Sequence, residues 1–363
     1  MIFSDHIVAR VIFGYTADNS HRVSFMYSGK LHGARKVAVV IPCFRVRKHI
    51  ASVIGEIGPE VHSIYVVDDY CPEKTGEFVS QTIDDPRVKV IFNEINLGVG
   101  GATLAGMVRA AEDDADVIVK IDGDGQMDPH LIPAFAAVIL SSEADFAKGN
   151  RFFEPEGVMT MPRTRLIGNA GLSFMAKLST GYWHSFDPTN GFFAIHASLM
   201  SLLPVEKISK RYFFESDLLF RLGVIEARVM DIPMHAHYAD EQSSMQPHKE
   251  IWRFTKGHVK NFIKRVFYRY FLRDFSIASI ELLLGLALLA FGTIFGLANW
   301  RSESFASAGT VMLAAMPIII GTQLLLAFLN YDIQSAPSTA LHPRLERSKR
   351  PNKALRHREG TAA

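Results

Sequence analysis

At 363 residues the chain has room for one large domain or two smaller ones. Its formal net charge of +2 hides an uneven distribution, because Lys249, Arg253, Lys256, Lys260, Lys264, Arg265, Arg269 and Arg273 crowd one stretch and residues 332–363 are basic again. These blocks flank long apolar segments, so anionic lipid and membrane topology account for them better than nucleic acid, which is excluded as a partner.

Residues 1–35 carry scattered charges and no sustained apolar core, which predicts an N-terminal extension without a secretory signal. Lys36–Ile41 reads as a short apolar strand stopped by Pro42, and Arg47–Ile57 as a helix. A second strand, Ser63–Val67, ends in Asp68 and Asp69. A helix near Thr75–Thr82, a strand Val88–Phe92, a glycine-rich turn and a helix over Val99–Ala111 follow. Strand Val117–Ile121 delivers Asp122 and Asp124, after which Pro129 opens a helix, where its missing donor does no harm. Strands alternating with helices at this spacing imply a mostly parallel, doubly wound α/β sheet with its ligand crevice at the carboxyl ends of the strands. Asp68, Asp69, Asn96, Asp122 and Asp124 all fall at such ends.

Carboxylates at i and i+2 of an extended segment point the same way, so Asp122 and Asp124 can face one divalent cation, Mg2+ or Mn2+. The same Asp-Gly-Asp-Gly run also suits a plain turn. Gln126 stands where a side-chain amide adds a third oxygen. The glycines at 98, 100 and 101 allow close backbone approach to a ligand and open a helix whose amino end favours anions, or else serve a tight strand-to-helix turn.

Residues 145–245 are less regular. A helix is expected over Arg165–Leu178, and a loop, Asp187-Pro188-Thr189-Asn190-Gly191, precedes the apolar Phe192–Ile195. Phe213–Leu222 suggests a helix carrying Glu215 and Asp217, and Ala227–Ile232 a strand closed by Pro233. Residues 246–275 mix basic side chains with Trp252, Phe254, Phe262 and Phe267, as in a helix lying at a membrane surface with its cations toward anionic headgroups. Two apolar segments, 277–298 and 308–329, each approach the ~20 residues needed to cross a bilayer and form a hairpin within 276–331. Glu281 and Gln323 are polar exceptions that suit packing between protomers, so a homo-oligomer stays open. Basic residues on both outer flanks put the N-terminal part and the tail, 332–363, in the cytoplasm by the positive-inside rule. The tail is expected to be disordered beyond 335. Cys43 and Cys71 fall at expected loops and read as free thiols.

Taken in order, Val39-Val40-Ile41-Pro42, Val66-Val67-Asp68-Asp69, Asn96-Leu97-Gly98-Val99-Gly100-Gly101-Ala102, Asp122-Gly123-Asp124-Gly125-Gln126, Lys148-Gly149-Asn150-Arg151 and Asp187-Pro188-Thr189-Asn190-Gly191-Phe192 resemble the inverting glycosyltransferases of family two. Within that family they look most like the polyprenyl-phosphate, dolichol-phosphate-mannose-synthase type. The resemblance covers about residues 36–245 and implies a GT-A fold. It further implies that the rim at Pro42, Asp68, Asp69, Gly98, Asp122 and Asp187 binds the nucleotide sugar, and that Asp122, Asp124 and Gln126 gather around the metal. Arg151 and Arg165 match family arginines that collect an acceptor phosphate, with Arg163 nearby, and guanidinium suits that task through planar, permanently charged donors.

The implied reaction is sugar transfer from a nucleotide diphosphate to a polyprenyl phosphate at the cytoplasmic membrane face. Because a phosphate monoester has a second pKa near ~6, the nucleophile is largely ionised at neutral pH. Glu215 and Asp217 therefore either act in catalysis or position the sugar. The chain departs from the family at Arg45 and Arg47, where Asn and Glu are usual, and at His235 to Ser244, where an arginine and Gly-x-Ser-Lys are usual. His235 and His237 share one strand face, a pattern of plain surface residues or of a pair approaching the metal. The rival readings are a transferase for another lipid, such as a diacylglycerol or glycolipid, and a non-catalytic membrane scaffold that binds nucleotide sugar.

Overall fold

The computed structural model describes residues 35–152, 163–234, 247–300 and 306–349. Its first half alternates strand and helix: β1 (Val37–Cys43), α1 (Ile50–Glu56), β2 (Val61–Asp68), α2 (Thr75–Thr82), β3 (Val88–Phe92), α3 (Val99–Glu112), β4 (Val117–Lys120) and α4 (Ile132–Leu140). Then come β5 (Phe146–Asn150), α5 (Arg163–Thr180), β6 (Phe193–His196), α6 (Phe214–Val224) and β7 (Val229–Pro233). The C-terminal part is helical: α7 (Pro247–Phe267), a wider π turn over Tyr268–Arg273, α8 (Ile277–Trp300), α9 (Ala308–Gln334) and α10 (His342–Lys349).

The strands form one sheet in the order β3-β2-β1-β4-β6-β5-β7, in which only β6 runs antiparallel to its neighbours. This is the mixed, mostly parallel arrangement of a GT-A-like domain. Side chains alternate across the sheet with period two. Val37, Val39 and Ile41 pack with Ile50 and Phe135 on one face, while Ala38 and Val40 pack with Met107, Phe193 and Leu218 on the other. Each large apolar side chain buried this way contributes about 1.5–3 kcal/mol.

β1 runs through Pro42 to Cys43 rather than stopping before the proline. Val40 faces β4 and its carbonyl accepts from the Ile121 amide, so Pro42, two residues on, turns its missing N–H toward the same side. β4 has already ended at Lys120, and no ladder bond is lost there. Cys43 is thus a strand residue, not a loop residue, and both thiols are free and buried. β5, which periodicity does not reveal, is wholly buried despite containing Lys148, Gly149 and Asn150.

Residues 342–349, expected to be disordered, instead form α10. α10 returns to the amino end of the sheet, where the buried Asp145 carboxylate accepts from the Leu341 and His342 amides and from the His342 ring. The His342 and His196 rings stack at 4.1 Å, and Glu346 reaches His196 Nε2 at 3.2 Å. A polar composition conceals such a helix because one buried carboxylate, not an apolar stripe, holds it.

α8 and α9 are long and apolar enough to cross a membrane, with mean hydropathies of 2.2 and 2.1. They pack on each other so closely that a Cβ on Gly292 would meet the Ala314 carbonyl at 2.7 Å. Leu286, Ile294, Leu297, Ile319 and Leu326 are left exposed, which is not the pattern of helices buried in a soluble core. Gln323 is exposed on the hairpin too.

Candidate functional site

The acidic pair sits just past the carboxyl end of β4, where the chain turns through Gly123 and through Gly125 at φ +77°. Asp124 Oδ1 accepts from the Gln126 amide at 3.0 Å, and the Asp122 amide donates to Met127 Sδ. Lys120 was not anticipated from the sequence. It is 1% exposed, and its Nζ donates to Asp122 Oδ1 at 2.7 Å. Its signal was present, since residues 120 and 122 share a face by the same period-two rule that joins 122 to 124. Among the described residues no cluster of three or more His, Cys, Asp or Glu could hold a metal. Two carboxylates still fit Mg2+ or Mn2+, which take one or two and fill their remaining positions with phosphate and water.

Facing this turn is the loop before β6. Asp187, at φ +55°, is buried and grips Arg151 through Nε and Nη2, both at 2.7 Å. Burial works to raise the Asp187 carboxyl, but the Arg151 hydrogen bonds and charge outweigh it and hold it below the ordinary range. Asn190 Nδ2 also donates to Asp187, and Lys148 Nζ donates to the Phe186 and Asp187 carbonyls. The loop thereby brings Gly191 against Lys120 and Asp122. Arg151 keeps a side-chain exposure of 28%. α5 opens at Arg163 with Arg165 two residues on, and their side chains lie outside the described part, as do His235 and His237.

Glu215 and Asp217 part company on α6, because residues two apart on a helix face different sides. Burial pushes the Glu215 carboxyl up to about 7, with Lys120 and Arg151 pulling it down and Asp122 pushing it up. Glu215 is half-buried in the first turn of α6, where the charges of Lys120, Asp122 and Arg151 act on its carboxyl. Asp217 is instead tied to structure: its oxygens accept from the Ser209 amide and from Asn261 Nδ2, both at 2.9 Å. These bonds tie the start of α6 to the Ser209 backbone and to α7.

The rim at β1 and β2 is likewise occupied by internal bonds. Pro42 is paired within the sheet beside Val67. Asp68 closes the following turn, accepting from the Cys71 and Gly76 amides at 2.7 and 2.6 Å. Asp69 accepts from the Leu97 and Gly98 amides at 2.8 and 2.7 Å and from Asn93. The Gly98 amide is therefore committed to Asp69, and the Gly101 amide to the Lys210 carbonyl. Gly98 has φ +86°, and a Cβ there would meet that carbonyl at 2.7 Å. Of the two uses open to these glycines, the tight turn is visible at Gly98, which lets the Lys210 segment close over the amino end of α3.

α7 carries two faces. Trp252, Val259, Ile263 and Phe267 are exposed beside Lys256, Lys260 and Lys264. The opposite face is buried: His258 meets Ser179 at 2.8 Å, Asn261 meets Asp217, and Arg265 donates to the Leu178 carbonyl. Arg265 also binds Asp332 of α9, which accepts from Trp183 Nε1 at 2.8 Å and from the Tyr270 hydroxyl. Arg265 had been grouped with the cations facing headgroups, and it points inward instead.

Residues 38–203 match the model of Glycosyl transferase family 2. The chain is 28% identical over 218 residues to a UDP-N-acetylglucosamine–dolichyl-phosphate N-acetylglucosaminyltransferase of Methanococcus voltae, covering 56% of this chain and 86% of that one. It is 27% identical over 203 residues to an undecaprenyl-phosphate mannosyltransferase of Micrococcus luteus, covering 55% and 82%. A dolichol-phosphate mannosyltransferase of Pyrococcus furiosus is 26% identical over 185 residues, covering 50% and 51%.

Proposed function

We propose that the chain, whose residues 38–203 match the model of Glycosyl transferase family 2, is a nucleotide-sugar-dependent glycosyltransferase that moves its sugar, with inversion, to a polyprenyl phosphate at the cytoplasmic face of a membrane. The observation that carries this reading is the junction at Asp332, which ties the catalytic domain to two exposed apolar helices. A transfer site anchored there suits an acceptor that travels in the bilayer. The names of the matched relatives supply the phosphate.

In this mechanism the nucleotide sugar lies across the carboxyl ends of β1 and β4, with Pro42, Asp68, Asp69 and Gly98 shaping the base and ribose side. Asp68 and Asp69 act by holding the rim's backbone. Asp122 through Oδ2 and Asp124 would hold a divalent cation, with Gln126 beside them. A bound Mg2+ or Mn2+ supplies positive charge that offsets the departing diphosphate. Arg151, fixed in plane by Asp187, hydrogen-bonds an acceptor phosphate oxygen, and Arg165 is assigned to the same phosphate by the family resemblance alone. Asp187 offsets the Arg151 charge, so Arg151 contributes a set geometry more than a bare cation. The acceptor needs no proton removed, since it is already ionised near neutral pH. Glu215, part-protonated near pH 7, is suited to bond the sugar hydroxyls and so position the anomeric carbon for attack from the face opposite the diphosphate.

The exposed stripe of α7 rests in the headgroup region, its lysines toward anionic lipid. Acceptor comparison tests the function: liposomes carrying undecaprenyl phosphate should receive labelled sugar, and those carrying diacylglycerol alone should not. Transfer to diacylglycerol with none to undecaprenyl phosphate contradicts the reading.

A further inference from the structure

Lys120 ends a strand that is otherwise valine and isoleucine, and it is buried at 1% exposure. Burying an ammonium costs several kcal/mol unless a partner offsets it. Its partner is one oxygen of Asp122, at 2.7 Å. The protein also keeps space for the ammonium: a Cβ on Gly191 would lie 2.4 Å from Lys120 Nζ and 3.0 Å from Asp122 Oδ2. Two chain segments distant in sequence are thus shaped around this one cation.

We propose that Lys120 is a positioning residue of the acidic pair, whose ammonium occupies Asp122 Oδ1 and leaves Asp122 Oδ2 and Asp124 as the face offered to a divalent cation. This rests on the metal reading of the pair given above. The consequence is electrostatic. Lys120 offsets the negative charge of Asp122 at hydrogen-bond distance. A free divalent cation is then held weakly, and it binds well only when a nucleoside diphosphate brings its own negative charge. The metal and the donor arrive as one complex, and the site stays free of adventitious metal between turnovers. An ion pair that served stability alone would predict no dependence of metal affinity on the lysine.

The test titrates Mn2+ against the full chain in detergent, followed by electron paramagnetic resonance, with and without UDP or GDP. Lys120→Met should bind Mn2+ alone at least about tenfold more tightly than the wild type, because a like charge has been removed from its neighbourhood. The gain in Mn2+ affinity on adding the nucleotide should shrink in the same variant. Lys120→Arg should keep near-wild-type behaviour. Lys120→Gln keeps a donor for Asp122 Oδ1 but not the charge, and should shift Mn2+ binding in the same direction as Lys120→Met. Thermal unfolding without metal checks that each variant is folded, and Lys120→Gln decides alone if Lys120→Met is not. Equal Mn2+ affinity in the wild type and the folded variants overturns the role of Lys120 while leaving the metal reading intact. No Mn2+ binding in any of them, with or without nucleotide, overturns both and leaves the acceptor reading standing.

Discussion

Arg265 on the surface helix α7 holds Asp332 near the end of the second apolar helix with two nitrogens, at 2.6 and 3.0 Å, and both side chains are almost wholly buried. The pair closes a seam in which Trp183 and Tyr270 donate to the same carboxylate. Membrane hairpin and catalytic domain are thus joined by a charged group with four donated hydrogen bonds.

Removing one partner of this pair should cost more than removing both. Asp332→Ala leaves a buried guanidinium uncompensated and should destabilise the protein by about 3–5 kcal/mol. The double variant Arg265→Met with Asp332→Leu should lose less. Thermal unfolding in detergent reads both, and a double variant weaker than the single one would contradict the arrangement.

The clasp between α10 and the sheet should loosen in acid. Burial and the neighbouring His342 push the His196 imidazole down to about 4 from its usual 6.5. The folded state therefore disfavours the protonated ring, and stability is lost as pH falls from about 6.5 toward 4. Asp145 has a carboxyl below its ordinary range, where the bonds from His342, Leu341 and Arg228 outweigh its burial. Its contribution persists until lower pH and is lost as pH falls through its folded value. Limited proteolysis after Arg344 and Arg347 should speed up between pH 7 and pH 5, and His342→Ala should cleave fast at both.

Glu215 should show the opposite sign. A carboxyl raised from 4.5 to about 7 holds its proton more tightly when folded, so its stabilising effect is full below 4.5 and is lost as pH rises toward 7. Glu215→Gln removes that loss. Part of the residue reaches solvent, so screening trims the gain to about 1–2 kcal/mol at pH 8. Unfolding of the chelator-treated protein at pH 5 and pH 8 measures it, and a variant less stable than the wild type at pH 8 contradicts it. Sugar transfer should fall in the same variant, chiefly through kcat.

How far the sequence carried this depends on where each residue's partners lie. α2 and β3 match their expected ranges, and Asp122 and Asp124 were located at the end of β4, because an apolar run with a sharp polar stop is a local signal. β5 escaped because Lys148 is buried by partners in the distant loop at 186–187, and Gly149 by Met234 and Asn190. Asp217 and Asp69 look alike in sequence to a catalytic or ligand-binding carboxylate, yet their oxygens are taken by Asn261 and by the amides at 97 and 98. Only tertiary structure reveals such bonds. α10 was read as disordered for the same reason, since its hold is Asp145, some two hundred residues earlier.

Asp69 supplies a prediction from that lesson. Asp69→Ala strips the acceptor from two half-buried amides, at a cost of about 1 kcal/mol each. Stability and nucleotide binding should fall together. Lost nucleotide binding with an unchanged melting temperature would instead mean direct ligand contact.

The central claim is transfer of sugar to a polyprenyl phosphate, and the direct measurement is that transfer itself. The full chain in liposomes with undecaprenyl phosphate is given labelled UDP- and GDP-sugars with Mg2+ or Mn2+, beside Asp124→Ala. The account predicts label in the lipid phase that requires acceptor and cation and disappears in the variant. Nucleotide-sugar binding by folded protein, with no label reaching undecaprenyl phosphate from any donor, would contradict it.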